Sequence, residues 1–191
     1  MKKINYALLL LVVGGLIFSG CLTAGQLAAL QGPQNYARSP ILDSKPVWRT
    51  VVLPPVSANQ SSFAHAQGLD DYAGMALLRT GQFSLIDRSI VNQILDEQEF
   101  SYSGVADQAS AVRLGQLLGA EAVMTISIGQ IKHDDFWDDE PNQRDASIHV
   151  KIISVETSEV LYTSTGQGSS FDGAENALIM AMEMSLMGLT K

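Results

Sequence analysis

The sequence predicts an α/β fold, an α+β sandwich in which helices pack on a mixed β-sheet of about five strands. Early in the chain, short β-branched runs alternate with segments whose apolar residues recur at helical spacing. A later stretch is typical of a strand meander. The composition, 46% hydrophobic over 191 residues, suits one globular domain. The predicted order of elements is β-α-β-α-α-β-β-β-α.

The predicted strands are β-branched, apolar or alternating runs that end at turn residues. We expect strands over 47–54, 83–86, 122–131, 146–155 and 160–168. Pro54-Pro55 ends the first run, and Glu156-Thr157-Ser158-Glu159 joins the last two strands as a hairpin turn.

Four further segments carry apolar residues at helical spacing. We expect helices over 67–80, 87–95, 108–118 and 172–189. Gly81 and Gly119 are natural left-handed stops for the first and third of these helices. Asp172, with Glu175 three residues later, resembles a capping box at the start of the last helix.

The N-terminus has the three parts of a secretory signal over residues 1–20: two lysines, an apolar run from Tyr6 to Phe18, and small residues. The run is shorter than the roughly 20 apolar residues that a membrane-spanning helix needs. The stretch from Ile17 to Cys21 resembles a bacterial lipoprotein lipobox. We therefore expect cleavage of the signal and a diacylglycerol-type lipid on Cys21, and the alternative is a plain secretory signal with an unmodified cysteine.

Residues 21–46 are rich in Ala, Gly, Gln, Ser and Pro, a composition that predicts a flexible tether between the lipidated Cys21 and a folded domain over 47–191. Leu22 follows the cysteine, where many inner-membrane lipoproteins carry Asp. By resemblance to that sorting rule, we expect the protein on the periplasmic face of the outer membrane.

Charge and motifs exclude several function classes. A net charge of −8 argues against sequence-independent binding of nucleic acid, and a single cysteine excludes a disulfide framework. The chain has no nucleophile elbow, zinc-protease motif, Walker loop or dinucleotide fingerprint. We therefore expect that the protein is not an enzyme and that it carries no cofactor besides the lipid on Cys21. A hydrolytic site assembled in space stays open as an alternative, with His65, His133 and His149 as its candidates.

Several sequence blocks, taken together and in this order, resemble the CsgG/HfaB family of bacterial envelope lipoproteins, whose structural cousins include LpoB. The blocks are Val51-Val52-Leu53-Pro54, Thr80 to Arg88 (TGQFSLIDR), Ile94 to Gln98 (ILDEQ), Leu114 to Ala122 (LGQLLGAEA) and Val155 to Val160 (VETSEV). The family pattern has Gly in the last turn, where this chain has Ser158.

The resemblance implies a non-enzymatic, outer-membrane-anchored lipoprotein with a CsgG-like periplasmic domain. Such a protein binds, scaffolds or regulates an envelope assembly for secretion, surface polymer or cell wall, and its partner is an envelope protein. The alternative is a ring-forming subunit of a curli-type secretion complex, which is a homo-oligomer. Pore-forming members have long amphipathic hairpins, whereas the loop from Lys132 to Asp145 has 14 residues and the connection Ser169-Ser170-Phe171 is shorter.

Three regions are candidates for partner contact. Phe136 and Trp137 lie in the acidic 132–145 loop, and Tyr102 lies in a second loop. A solvated loop is the alternative for the first, and its spacing does not match a calcium loop, so we expect no metal site. The last helix carries Met180, Met184 and Met187 at helical spacing. Core packing is the favoured interpretation of this stripe, and a soft contact surface is the alternative.

Overall fold

A computed structural model describes residues 35–57, 64–97, 107–129, 131–133 and 143–189. The strands in these ranges are β1 Tyr36–Arg38, β2 Trp48–Val52, β3 Val56–Ser57, β4 Phe83–Leu85, β5 Ala122–Ile128, β6 Lys132–His133, β7 Arg144–Ser154 and β8 Val160–Ser170. The α-helices are α1 Leu69–Arg79, α2 Arg88–Glu97, α3 Gln108–Leu117 and α4 Ala174–Leu186, and short 3-10 helices cover Pro40–Ser44 and Met187–Leu189. None of the helices in the described ranges is long and apolar enough to cross a membrane.

The strands form one mixed sheet in the order β1-β8-β7-β5-β2-β4, with β3 beside β5 and β6 beside β7. β2 runs parallel to β4 and β5, whereas β5, β7, β8 and β1 follow one another antiparallel. The predicted fold class is confirmed, and all five predicted strands are present in the predicted order. β1, β3 and β6 are additional strands of two or three residues, too short to show a periodic pattern in the sequence.

Helices cover the sheet on both faces. α1 and α4 pack on one face, where Met124 and Ile126 of β5 belong to the larger buried cluster. α2 and α3 pack on the other face, where Val123 belongs to a second cluster. Because side chains of a strand alternate between faces, β5 supplies both clusters from neighbouring positions.

Residues 35–46 are folded onto the domain, although their composition predicts part of a tether. β1 pairs with β8, and Leu42 is fully buried. The Trp48 indole N–H donates to the Leu42 carbonyl at 2.9 Å. Arg38 contacts Asp43 at 2.6 Å and donates to the side chain of Gln82 at 3.1 Å. A few long-range contacts therefore hold residues 35–46 on the domain, although the composition of this segment does not predict a folded structure.

α4 lies unusually close to β8. A Cβ on Gly166 would come within 1.8 Å of the Ala181 carbonyl oxygen, and one on Gly168 within 2.3 Å of the Ala177 carbonyl oxygen. Such distances mean that helix and strand backbones are in direct contact, which only glycine permits. Among these glycines, the Tyr162 hydroxyl donates to the Ser185 carbonyl at 2.6 Å and ties the end of the helix to the strand.

Three local predictions have different outcomes. The capping box at Asp172 is wrong, because α4 begins after Gly173, which has φ 114° and makes no side-chain cap. β5 ends at Ile128, earlier than the predicted residue 131. The turn without glycine is confirmed: Ser158 adopts φ 59°, and its N–H donates to the Ser154 carbonyl at 2.9 Å.

We expect Gly166→Ala to lower the free energy of unfolding by about 2–3 kcal/mol, because the new methyl group must push α4 away from β8. Urea denaturation of the folded domain measures this change. The matched control is Gln167→Ala at the exposed neighbouring position, where we expect a change within about 0.5 kcal/mol. Equal effects of the two substitutions would contradict the close packing.

Candidate protein-contact surface

Three methionines of the last helix and the turn after it are exposed, and the third, Met187, also lines a cavity beside α1 together with Tyr72 and Glu183. The side chains of Met180, Met184 and Met187, called here the methionine row, are 46%, 52% and 58% exposed. Met182 is fully buried in the larger cluster. The sequence favoured core packing for this stripe, and for these three residues that interpretation is wrong. The outer side of α4 is thus apolar and faces solvent.

Glu175 and Glu183 of α4 lie on its α1 side, where Glu183 and Met187 line a common cavity with Tyr72. The Tyr72 hydroxyl of α1 donates to the Glu183 carboxylate. This hydrogen bond, with smaller contributions from burial and from the negative charge of Glu183, raises the pKa of Tyr72. Glu175 lines a cavity of about 240 Å³ between the two helices, together with His65. The charges of α4 therefore serve its contact with α1 and leave the row uncharged.

The strand beneath the row has an edge that is only half covered. β1 pairs with Tyr162, Thr163 and Ser164 of β8. The Thr165 N–H donates to the Asn35 carbonyl at 2.8 Å, which is the last of these contacts. Beyond it, no strand in the described ranges pairs with the outer side of Gly166–Ser170, called here the open edge.

The methionine row and the open edge are neighbours. A Cβ on Gly168 would come within 2.8 Å of the Met180 Cβ, which places that methionine directly beside the strand. At the other end, Gly188 lies against the ring of Tyr36 in β1, and this ring stacks on Tyr162 at 6.0 Å. Backbone groups of the edge and the methionine side chains thus form one continuous strip.

The open edge was not predicted from the sequence, although the composition of β8 points to it. β8 has the sequence VLYTSTGQGSS, without a charged residue or a proline. Natural edge strands are commonly protected by Lys, Pro or a bulge. The open edge carries no Lys or Pro, so it is available for pairing with another strand.

A cleft of about 380 Å³ at the ends of the parallel strands β2 and β4 is an alternative site. Arg88 contacts Asp70 at 3.2 Å and Asp71 at 2.6 Å, and Asp70 is only 5% exposed. Asp87 accepts the Ser89 N–H at 2.8 Å, and its hydrogen bonds from the Ser89 hydroxyl and N–H lower its pKa. These charges join α1 to the start of α2, which is a structural role.

The described histidines of the hydrolase alternative lie apart. His65 lines the cavity between α1 and α4, whereas His149 sits on β7 beside the hydroxyls of Thr165 (3.2 Å) and Thr163 (3.4 Å). Burial, followed by the charge of Lys151, lowers the pKa of His149. Within the described ranges, no three His, Cys, Asp or Glu side chains form a group that could hold a metal ion.

Four predicted site residues lie outside the described residues. They are Cys21, Tyr102, Phe136 and Trp137. The strands β6 and β7 bring the ends of the 132–145 loop together, since Lys132 pairs with Asp145. Lipidation of Cys21 and contacts through the three aromatic residues stay predictions.

Comparisons with known proteins agree with this fold. The family model described as "Curli production assembly/transport component CsgG" matches residues 44–134, which confirms the resemblance that the sequence blocks carry. No curated protein sequence matches the chain closely enough to count as a relative.

Two solved structures share the fold at low sequence identity. The PelC dodecamer from Paraburkholderia phytofirmans superimposes with a TM-score of 0.53 and 12% identity over 81% of this chain and 94% of that one. Lipoprotein GNA1162 from Neisseria meningitidis superimposes with a TM-score of 0.52 and 14% identity over 64% of this chain and 83% of that one. At these identities the likeness concerns the fold alone.

Proposed function

Since residues 44–134 match the CsgG family, we propose that this protein is a non-enzymatic contact module of the bacterial envelope. It binds and scaffolds or regulates an envelope assembly through protein–protein contacts. The strip formed by the methionine row and the open edge is the observation that carries this proposal. Interface centres are depleted in charge and enriched in Met, and this strip has three methionines and no charged residue.

Methionine suits such a surface for a physical reason. Its unbranched, polarizable side chain adapts to partners of different shape, and contact surfaces with several partners use it for that purpose. The half-exposed side chains of Met180 and Met184 in α4 lose apolar exposure when a partner covers them. Methionines that stay exposed to solvent gain no such free energy from burial of apolar surface.

The proposed anchor is a lipid on Cys21. Signal-like residues 1–20, the lipobox-like stretch before Cys21 and the shared fold with a Neisseria lipoprotein support it. More than one acyl chain is needed for stable anchoring, at about 0.8 kcal/mol per buried methylene group. Leu22 favours the outer membrane, where the domain would face the periplasm.

A second candidate function is that of a ring-forming subunit in a curli-type secretion complex. The observation that favours it is the dodecameric state of PelC, one of the solved structures that share this fold. A ring needs heterologous contacts, in which two different surfaces of the protomer meet. It predicts a closed assembly of many copies.

We expect Cys21→Ser to release the protein from the membrane, because the serine hydroxyl cannot receive the thioether-linked lipid. Cell fractionation followed by immunodetection measures the distribution. The unaltered protein should sediment with outer membranes and the variant should appear in the soluble periplasm. Identical distributions of the two forms would contradict lipid anchoring.

Photo-crosslinking in living cells tests the contact surface. With p-benzoylphenylalanine in place of Met184, we expect discrete crosslinked adducts. The matched control carries the same group in place of Met75, a similarly exposed methionine on α1. Adducts that are absent at Met184, or identical at the two positions, would overturn the proposal.

A further inference from the structure

The open edge offers backbone hydrogen-bonding groups in a defined order. The Ser39 N–H donates to the Leu161 carbonyl and the Thr165 N–H donates to the Asn35 carbonyl, both at 2.8 Å. Backbone groups of a strand alternate in direction, so Gln167 and Ser169 also direct their N–H and C=O groups to this side. A strand that pairs there has two donors and two acceptors to satisfy.

The chain that precedes β1 is poorly suited to continue along this edge. In the observed register Tyr36 lies opposite Ser164, so an extension of β1 would place Pro33 opposite Gln167. That position needs an N–H donor, and proline has none. The edge therefore fits a strand from elsewhere better than it fits the residues just before Asn35.

The open edge can pair with the same edge of a second copy of the chain. If two copies of Gly166–Ser170 run antiparallel about Gly168, Gln167 of each copy lies opposite Ser169 of the other. Both are hydrogen-bonded positions, so all four outward donors and all four outward acceptors of the two copies find partners. No side chain of β8 is charged, so the two strands meet without like-charge repulsion although the chain carries −8.

The methionine row covers the same seam. A two-fold axis perpendicular to the sheet puts α4 of both copies on one face, and Met180 lies beside Gly168 at the centre. Met180 and Met184 of one copy then face those of the other. Flexible methionine side chains can fill the space between two neighbouring helices.

The position of Asn35, where the folded domain begins, is compatible with two copies that are anchored in the same membrane. Asn35 lies beside Thr165, so the two copies of Asn35 flank the seam about 20 Å apart, the length of six residues of strand. The segment of 14 residues from Cys21 to Gln34 spans up to about 45 Å when extended. Both anchors can therefore reach the same membrane.

We propose that a second copy of this chain pairs antiparallel with the open edge of β8 and buries Met180 and Met184 of the methionine row at the seam. This proposal rests on the proposed function, because lipid anchors raise the effective concentration of the copies in one membrane. The contact is isologous, so it closes at two copies and differs from the contacts of a ring.

The mass of the full-length, membrane-extracted protein tests the pairing. We expect a dimer by native mass spectrometry in mild detergent, and a monomer for Gln167→Pro. Proline at this outward position removes one of the two donors that each copy offers to the seam and leaves the pairing of β8 with β7 intact. A monomer or a ring of many copies for the unaltered protein would overturn the proposal, as would a dimer that Gln167→Pro leaves unchanged.

Crosslinking gives a test that does not depend on the folding of the proline variant. Gln167→Cys introduces a thiol that lies diagonally across the seam from its copy, at about 7–8 Å. A short bis-maleimide should convert this variant to covalent dimers in membranes. Met75→Cys, on the exposed side of α1, is the matched control and should stay monomeric. Absence of dimers from Gln167→Cys, or equal dimer yields from both variants, would overturn the proposal.

The two proposals fail separately. If Gln167→Cys gives no dimer while the photo-crosslinker at Met184 captures other envelope proteins, the second copy is wrong and the contact module stands. If neither position gives an adduct, both proposals are wrong.

Discussion

Gly166 and Gly168 let the backbone of α4 lie against β8 at a distance that any Cβ would prevent. This close approach determines which side of α4 is buried. Ala177 and Ala181 face the strand, Met182 enters the core, and the Tyr162 hydroxyl fixes the helix end at Ser185. Met180 and Met184 each follow one of these alanines by three residues, so they lie on the adjoining outer side of the helix, where they are exposed.

The same contact turns Glu183 of α4 toward α1 and leaves Met180 and Met184 exposed to solvent. Glu183 is held by Tyr72 of α1, so the inner flank of the helix is satisfied within the domain. The outer flank lies beside the edge of β8 at Gly168. Along that edge β1 covers β8 only from Arg38 to the contact made by Asn35. An uncharged helix flank and an unpaired strand edge therefore lie side by side, and each makes the other more suitable for protein contact.

Much of the fold follows from sequence patterns, because β5, β7 and β8 carry strong β-branched or alternating runs and the glycine stops limit the helices. The start of the folded part could not be predicted in this way. Leu42 and Arg38 are isolated residues in a tether-like composition, and they are held by partners far along the chain such as Gln82.

The candidate surface was half predicted. Met180, Met184 and Met187 stand out by spacing, but spacing alone does not tell an apolar stripe in the core from one that faces solvent. What decides the exposure is the orientation of α4, set by glycines in another element. The open edge is a property of strand order, which local sequence does not encode, although the absence of charge in β8 points to it.

The ε-methyl NMR spectrum of methionine-labelled, full-length protein, recorded over a dilution series in mild detergent, tests the central claim that contacts form on the outer side of α4. The account predicts that the signals of Met180 and Met184 shift with protein concentration, while those of the buried Met124 and Met182 stay constant. Signals of Met180 and Met184 that do not change with concentration, or a shift at Met75 in their place, would contradict it.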